Sequence, residues 1–317
     1  MSEVEPTERT DDDELGPLRA YLTATVPAVE SGGRAPRVML VAFEGWNDAG
    51  QAATGALETL VRQWEAFERA DVCTGEYYDF QVTRPTVRRD ADGMGTIDWP
   101  AMHVHEAVLD GDGRPVPAEE CGADGLQLLL CSGVEPNVRW RAFTQELLQV
   151  AQDEGVDALV VVGALLADVP HTRPLPARAS SPMADVRVAV DADQPTYEGP
   201  TGIVGVVTDT AARTGLPTVS LWGMVPHYVA QSPSPKTQLS VVEALEELLG
   251  VTVDTAELQA DAALWRQSVD EVAQDDADIA AYVQQLEEAT DARELPEASG
   301  EAIAREFERY LRGRRRS

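Results

Sequence analysis

The residues best suited to chemistry fall in four short segments, three of them just beyond an apolar run. Glu44, Trp46, Asn47 and Asp48 follow the stretch Val38 to Phe43, and Asp168, His171, Thr172 and Arg173 follow Ala158 to Leu165. Tyr197, Glu198, Gly199, Thr201 and Gly202 open a helical pattern, and His227 and Tyr228 come after the run that starts at Thr218. Arg173 is able to grip a carboxylate or phosphate through two parallel N–H bonds. Thr201 suits a helix N-cap, and the free N–H groups of a helix start favour an anion. These groups point to ligand binding rather than to catalysis. Plainer readings stand beside them: Asp48 as a helix cap with Trp46 packed against it, Asp168 and Arg173 as a structural pair, His171 as a loop packer.

Motifs with a known mechanism are absent. There is no Gly-x-Ser-x-Gly elbow, and Gly199-x-x-Gly202-x-x-Gly205 is neither a phosphate loop nor a dinucleotide fingerprint. His103 and His105 share one face of an expected strand beside Glu106, a spacing open to a metal, but surface or interface histidines are the plainer reading. The residues assign no catalytic group, cofactor or metal, and they leave open whether the chain is an enzyme.

The four segments need a scaffold that brings strand ends together. Val38 to Phe43 reads as a strand buried on both faces, and Ala49, Ala53, Ala56, Leu57, Leu60 and Trp64 form one stripe of the helix that follows. Residues 68–82 read as a strand or pair of strands, and 83–123 as a hairpin-like insertion. Then come strand Leu126 to Cys131, helix Asn137 to Asp153 and strand Ala158 to Leu165, with a further strand expected near Val186 to Val190. A helix from Gly202, a strand over Thr218 to Leu221 and a helix over Thr237 to Leu249 complete the alternation. This order implies an α/β fold with a largely parallel sheet between helical layers, in which ligands bind at the C-terminal edge of the strands. Beyond Val251 the pattern is helical only, with an apolar seam through Leu258, Ala262, Trp265, Val269 and Val272, continued by Ile279, Val283 and Leu286. The expected division is an acidic, disordered tail over 1–34, an α/β core over 35–250 and a helical, lid-like region over 251–317.

The chain has 317 residues, with 55 acidic and 25 basic side chains and a formal charge of −30. A field this negative disfavours nucleic acid and anionic membranes. An odd number of cysteines (Cys73, Cys121 and Cys131) without a Cys-x-x-Cys pair fits a reduced, cytoplasmic protein. The acidic N-terminus lacks the apolar core of a signal peptide, and no apolar run is long enough to span a bilayer. Lys236 is the only lysine.

The turn from Phe43 to Gly50 resembles the opening motif of the proteasome assembly chaperone 2 family in its actinobacterial branch. Four further segments match in order: Cys131 to Pro136 with Trp140 and Phe143, Val162 to Arg173, Tyr197 to Ile203, and Trp222 to Tyr228. The resemblance spans roughly 37–290. It implies a three-layer α/β/α core like that of purine nucleoside phosphorylases, a hairpin insertion used in oligomer contacts and a helical region over a pocket. Its bacterial members have no established activity. The chain ends Gly313-Arg314-Arg315-Arg316-Ser317, without the hydrophobic-Tyr-any tail that assembly factors of this kind insert into the proteasome, which weakens the expectation of proteasome subunits as partners. Two functions follow as expectations: a homo-oligomer, guessed to be a trimer, with a small-molecule pocket for an anionic or nucleoside-like ligand; or a protein-interaction and assembly role.

Overall fold

A computed structural model describes residues 15–90, 92–229 and 232–294. Its strands are β1 (Arg37–Glu44), β2 (Phe67–Glu68), β3 (Thr86–Arg89), β4 (Gly95–Asp98), β5 (Met102–Leu109), β6 (Leu126–Val134), β7 (Ala158–Ala167), β8 (Ala177–Ser180) and β9 (Thr218–Pro226). The helices are α1 (Pro17–Thr25), α2 (Pro27–Glu30), α3 (Ala52–Gln63), α4 (Trp140–Asp153), α5 (Ala184–Val190), α6 (Ile203–Arg213), α7 (Pro235–Leu249), α8 (Ala256–Asp275) and α9 (Ala277–Glu294).

Seven strands form one mixed sheet in the order β2-β5-β6-β1-β7-β9-β8. The four central strands, β6, β1, β7 and β9, run parallel, and the others join antiparallel at the two sides. Alternate side chains of β1 therefore enter opposite layers. Val38, Leu40 and Ala42 pack with α1, α3 and α7, whereas Met39, Val41 and Phe43 pack with α4 and α6. The fold is α/β, with helices on both faces of the sheet.

Three sequence expectations change. Val186 to Val190 is part of helix α5, not a strand: Val186 and Val190 are buried while Val188 is exposed, the four-residue spacing of a helix face. Of residues 68–82 only Glu68 lies in a strand, with Val72 bridged to Met102, and the rest turns back to bury Cys73, Tyr77 and Tyr78 under α4. Within the expected insertion, β3 and β4 form the hairpin, but β5 is an integral strand of the main sheet paired along its whole length with β6.

The N-terminal segment, expected as a tail through residue 34, is docked from residue 17 onward. Leu18, Arg19 and Leu22 of α1 are buried. The Arg19 guanidinium donates to the carbonyls of Asp124 (2.6 Å), Gly250 (3.2 Å) and Leu249 (3.5 Å), so it closes the C-terminus of α7, where carbonyls lack helical partners. Gly16 and Gly250 make this approach feasible: a Cβ on Gly16 would lie 2.2 Å from the Gly250 nitrogen. Residues 1–14 and the expected last helix, Glu297 to Arg312, lie outside the described residues. Arg19→Ala would strand these carbonyls and remove a buried stem. We expect a loss of about 2–4 kcal/mol in urea unfolding; an unchanged midpoint would refute this role for Arg19.

Candidate functional site

The parallel strands end together, and the candidate residues gather at that edge in two groups. In the first, β1 delivers Glu44 and the turn Gly45 to Asp48. Asp48 is buried, and its Oδ1 accepts from the N–H groups of Ala53 (2.8 Å) and Thr54 (3.3 Å), while Oδ2 accepts from the Thr54 hydroxyl. Burial pushes the Asp48 carboxyl up, and these three hydrogen bonds oppose that shift. The start of α3 is thus filled by its own chain, with Gln51 N–H donating to the Asp48 carbonyl.

Asn47 is also buried. Its carbonyl accepts from Ala164 N–H of β7 (2.7 Å), and its amide donates to Glu135 Oε1 (3.2 Å). The same oxygen accepts from Ile203 N–H at the start of α6 (3.1 Å). Glu135 therefore caps the helix for which Thr201 is the expected cap; the Thr201 hydroxyl instead lies 3.4 Å from the Gly202 carbonyl. Gly202 is required here because a Cβ would come within 2.5 Å of the Asn47 side chain. Glu135 is a site residue that the sequence does not single out; its one signal there is its place in the segment Cys131 to Pro136. Beside it an open cleft of about 390 Å³ is lined by Glu44, Glu135, Asn137, Trp140 and Thr83 among others. Partial burial and repulsion from Asp48 and Glu58 push Glu44 up, and His103 opposes this. Trp46 is 87% exposed, and Tyr197, Glu198, Gly199 and Thr201 form an exposed loop outside this group.

The second group is the loop after β7 together with His227 and Tyr228. His171 is buried, and its two ring nitrogens lie 2.7 Å from the Tyr228 hydroxyl and 2.9 Å from Asp270 of α8. Asp270 as a carboxylate only accepts, so Nε2 carries the proton, and Nδ1 accepts from the Tyr228 hydroxyl. That hydroxyl in turn accepts from His171 N–H at 2.7 Å. Burial holds the His171 imidazole below its usual pKa, against the pull of Asp270. Arg173 grips Asp291 of α9 through Nε (2.8 Å) and Nη2 (2.9 Å), with Glu287 at 3.4 Å. Thr172 donates to Glu287, and Asp168 meets the Tyr282 hydroxyl (3.2 Å) and His227 (3.1 Å). Helices α8 and α9 thus cover this loop with their carboxylates, while Leu258, Ala262 and Val269 of α8 are buried along α7.

Lys236, at the start of α7, donates to the carbonyls of His171 (2.5 Å) and Arg173 (2.6 Å). Burial, aided by Arg266 and opposed by Asp270, lowers its pKa to about 8. Elsewhere His103 pairs with Asp71, and among the described residues no group of three or more His, Cys, Asp or Glu is placed to hold a metal.

The PAC2 family model matches residues 42–273, more than half of the chain. This chain belongs to the PAC2 family. A PAC2 family protein from Streptomyces avermitilis is 42% identical, with a TM-score of 0.70 over 78% of this chain and 99% of the other. A Mycobacterium tuberculosis proteasome-assembly chaperone homologue is 39% identical, with a TM-score of 0.65 and the same coverage. Pyrococcus furiosus PbaB, an archaeal proteasome activator, is 14% identical over 75% of this chain and 94% of the other; its TM-score of 0.56 shows a shared fold alone. No curated protein matches the chain. Among the described residues of this PAC2 protein, no helix is long and apolar enough to cross a membrane.

Two titrations test the second group. With lysine ¹³C-labelled at Cε, the Lys236 Cε resonance should titrate with a midpoint near 8; a midpoint near 10 would contradict its burial. His171 has a folded pKa below the unfolded value of about 6.5, so the unfolded chain takes up its proton first. Its contribution to stability is present above that value and falls as pH drops through it. His171→Asn should therefore flatten the pH dependence of unfolding between 7 and 5.5, and an unaltered slope would exclude the assignment.

Proposed function

We propose that this PAC2 protein acts through protein contacts, as a self-associating interaction factor of the assembly-chaperone type. The observation that carries this reading is the β3–β4 hairpin. It stands largely clear of the other elements, and a two-stranded hairpin alone is marginal in water. Its cross-strand pair Val87 and Ile97 is 57% and 51% exposed, Met94 at its turn is 73% exposed, and Trp99 at its base meets Phe80 edge-on with ring centroids 5.0 Å apart. An apolar face of this kind marks a surface that is covered in the working assembly. The Mycobacterium relative described as a proteasome-assembly chaperone homologue supports the same reading. A homo-oligomer built through the hairpin, with a cyclic trimer as the stoichiometry to test, fits an apolar arm on a chain otherwise strongly charged.

A second reading has its own support. The loop under α8 and α9 suits a small-molecule site at the sheet edge with the helical pair as lid, and the cleft beside Glu44 and Glu135 is a separate open recess. In that reading the ligand enters when the lid lifts.

The hairpin reading is tested by light scattering on the wild type and on Val87→Asp/Ile97→Asp. The wild type should be oligomeric and the variant monomeric with nearly the same melting temperature, since neither side chain is part of the core. A monomeric wild type at micromolar concentration, or an oligomer indifferent to both substitutions, would remove it.

A further inference from the structure

We propose that the loop Asp168 to Arg173 is a carboxylate-binding site that the chain's own helical pair occupies, so that a ligand bearing several carboxylates binds by displacing α8 and α9. The proposal rests on the reading of that pair as a lid. Among the described residues, His171, Thr172, Arg173 and Asp168 each meet an oxygen of an acidic or phenolic side chain of the pair. Arg173 holds Asp291 through two roughly parallel N–H bonds of 2.8 and 2.9 Å, the fork geometry by which guanidinium recognises a free carboxylate. Thr172 and Arg173 share Glu287, and His171 Nε2–H donates to Asp270. The three carboxylates come from two helices in a segment, 256–294, that carries eleven acidic and two basic residues.

The loop does not depend on these helices for its shape. Lys236 fixes the carbonyls of His171 and Arg173, and Tyr228 fixes both the backbone and the ring of His171. Both clamps belong to the core side of the contact, so the donors remain arranged when the carboxylates leave. The contact is also replaceable. The Arg173 and Asp291 side chains are 33% and 50% exposed, and ion pairs at that exposure are weak and screened by salt. The apolar hold of α9 is small: Val283 and Leu286 are buried, and Tyr282 meets His227 and Tyr228 edge-on.

The test uses the full chain, titrated with citrate and separately with a tetraglutamate peptide, at ionic strength held constant with sodium chloride. Binding is read by calorimetry, and opening by hydrogen exchange over 256–294. Citrate or the peptide should bind and speed exchange in that segment beyond the chloride control; which of the two does so separates a small-molecule source from a protein segment. Asp291→Ala, which removes the competing carboxylate at Arg173, should tighten binding about tenfold, and Arg173→Gln should weaken it at least tenfold. If neither probe binds, or if Asp291→Ala binds no more tightly than the wild type, the proposal is overturned. Exchange over 256–294 that stays slow even at high salt would instead remove the lid reading, and the oligomeric state is measured apart from both.

Discussion

The buried carboxylate of Asp48 is the interaction on which the sheet edge depends. β1 is the central parallel strand, and the chain must turn from it into α3 without leaving the first N–H groups of that helix unpaired in an apolar layer. Asp48 meets two of those groups and the Thr54 hydroxyl at once. Beside it, the Asn47 carbonyl takes Ala164 N–H of β7, and the Asn47 amide leads to Glu135 and so to the start of α6. One turn thus joins three strands and two helices from both faces. Loss of a single acceptor there leaves several donors desolvated, and each such donor costs about 1–3 kcal/mol.

The sequence carries the central layers because their rules are local. Val38 to Phe43 is apolar on both faces, and the stripe from Ala53 to Trp64 repeats every three or four residues; both match the buried residues. Asp48 as a cap was legible for the same reason. Val186 to Val190 misleads because Val-Arg-Val-Ala-Val satisfies a strand's alternation as well as a helix's spacing, and only the layer above β8 and β9 decides between them. Residues 68–82 carry enough aromatic character for a strand, yet their rings are anchors: the Tyr77 hydroxyl reaches Glu146, and the Tyr78 hydroxyl reaches the Val134 carbonyl.

The edge chemistry was half legible. Residue types named the loop Asp168 to Arg173, but its partners lie 99 to 118 positions away on helices whose apolar seam says nothing of their polar faces. Glu135 was hidden in the same way, since it caps a helix 68 residues later. The charge of −30 suggests an exterior that only repels anions, yet at this edge part of it is committed to ion pairs and hydrogen bonds, with Asp270, Glu287 and Asp291 neutralising cations and donors of the core.

Lys236 has a consequence for covalent chemistry. Apart from the backbone amine at the chain start, it is the single primary amine of the protein. Acyl transfer, glycation or attachment of a protein tag through an isopeptide bond would all have to use that one nitrogen. Two of its hydrogens are held by the carbonyls of His171 and Arg173. Conjugation at this residue therefore requires these two hydrogen bonds to break, and a chain tagged there could not re-form the clamp that shapes the loop.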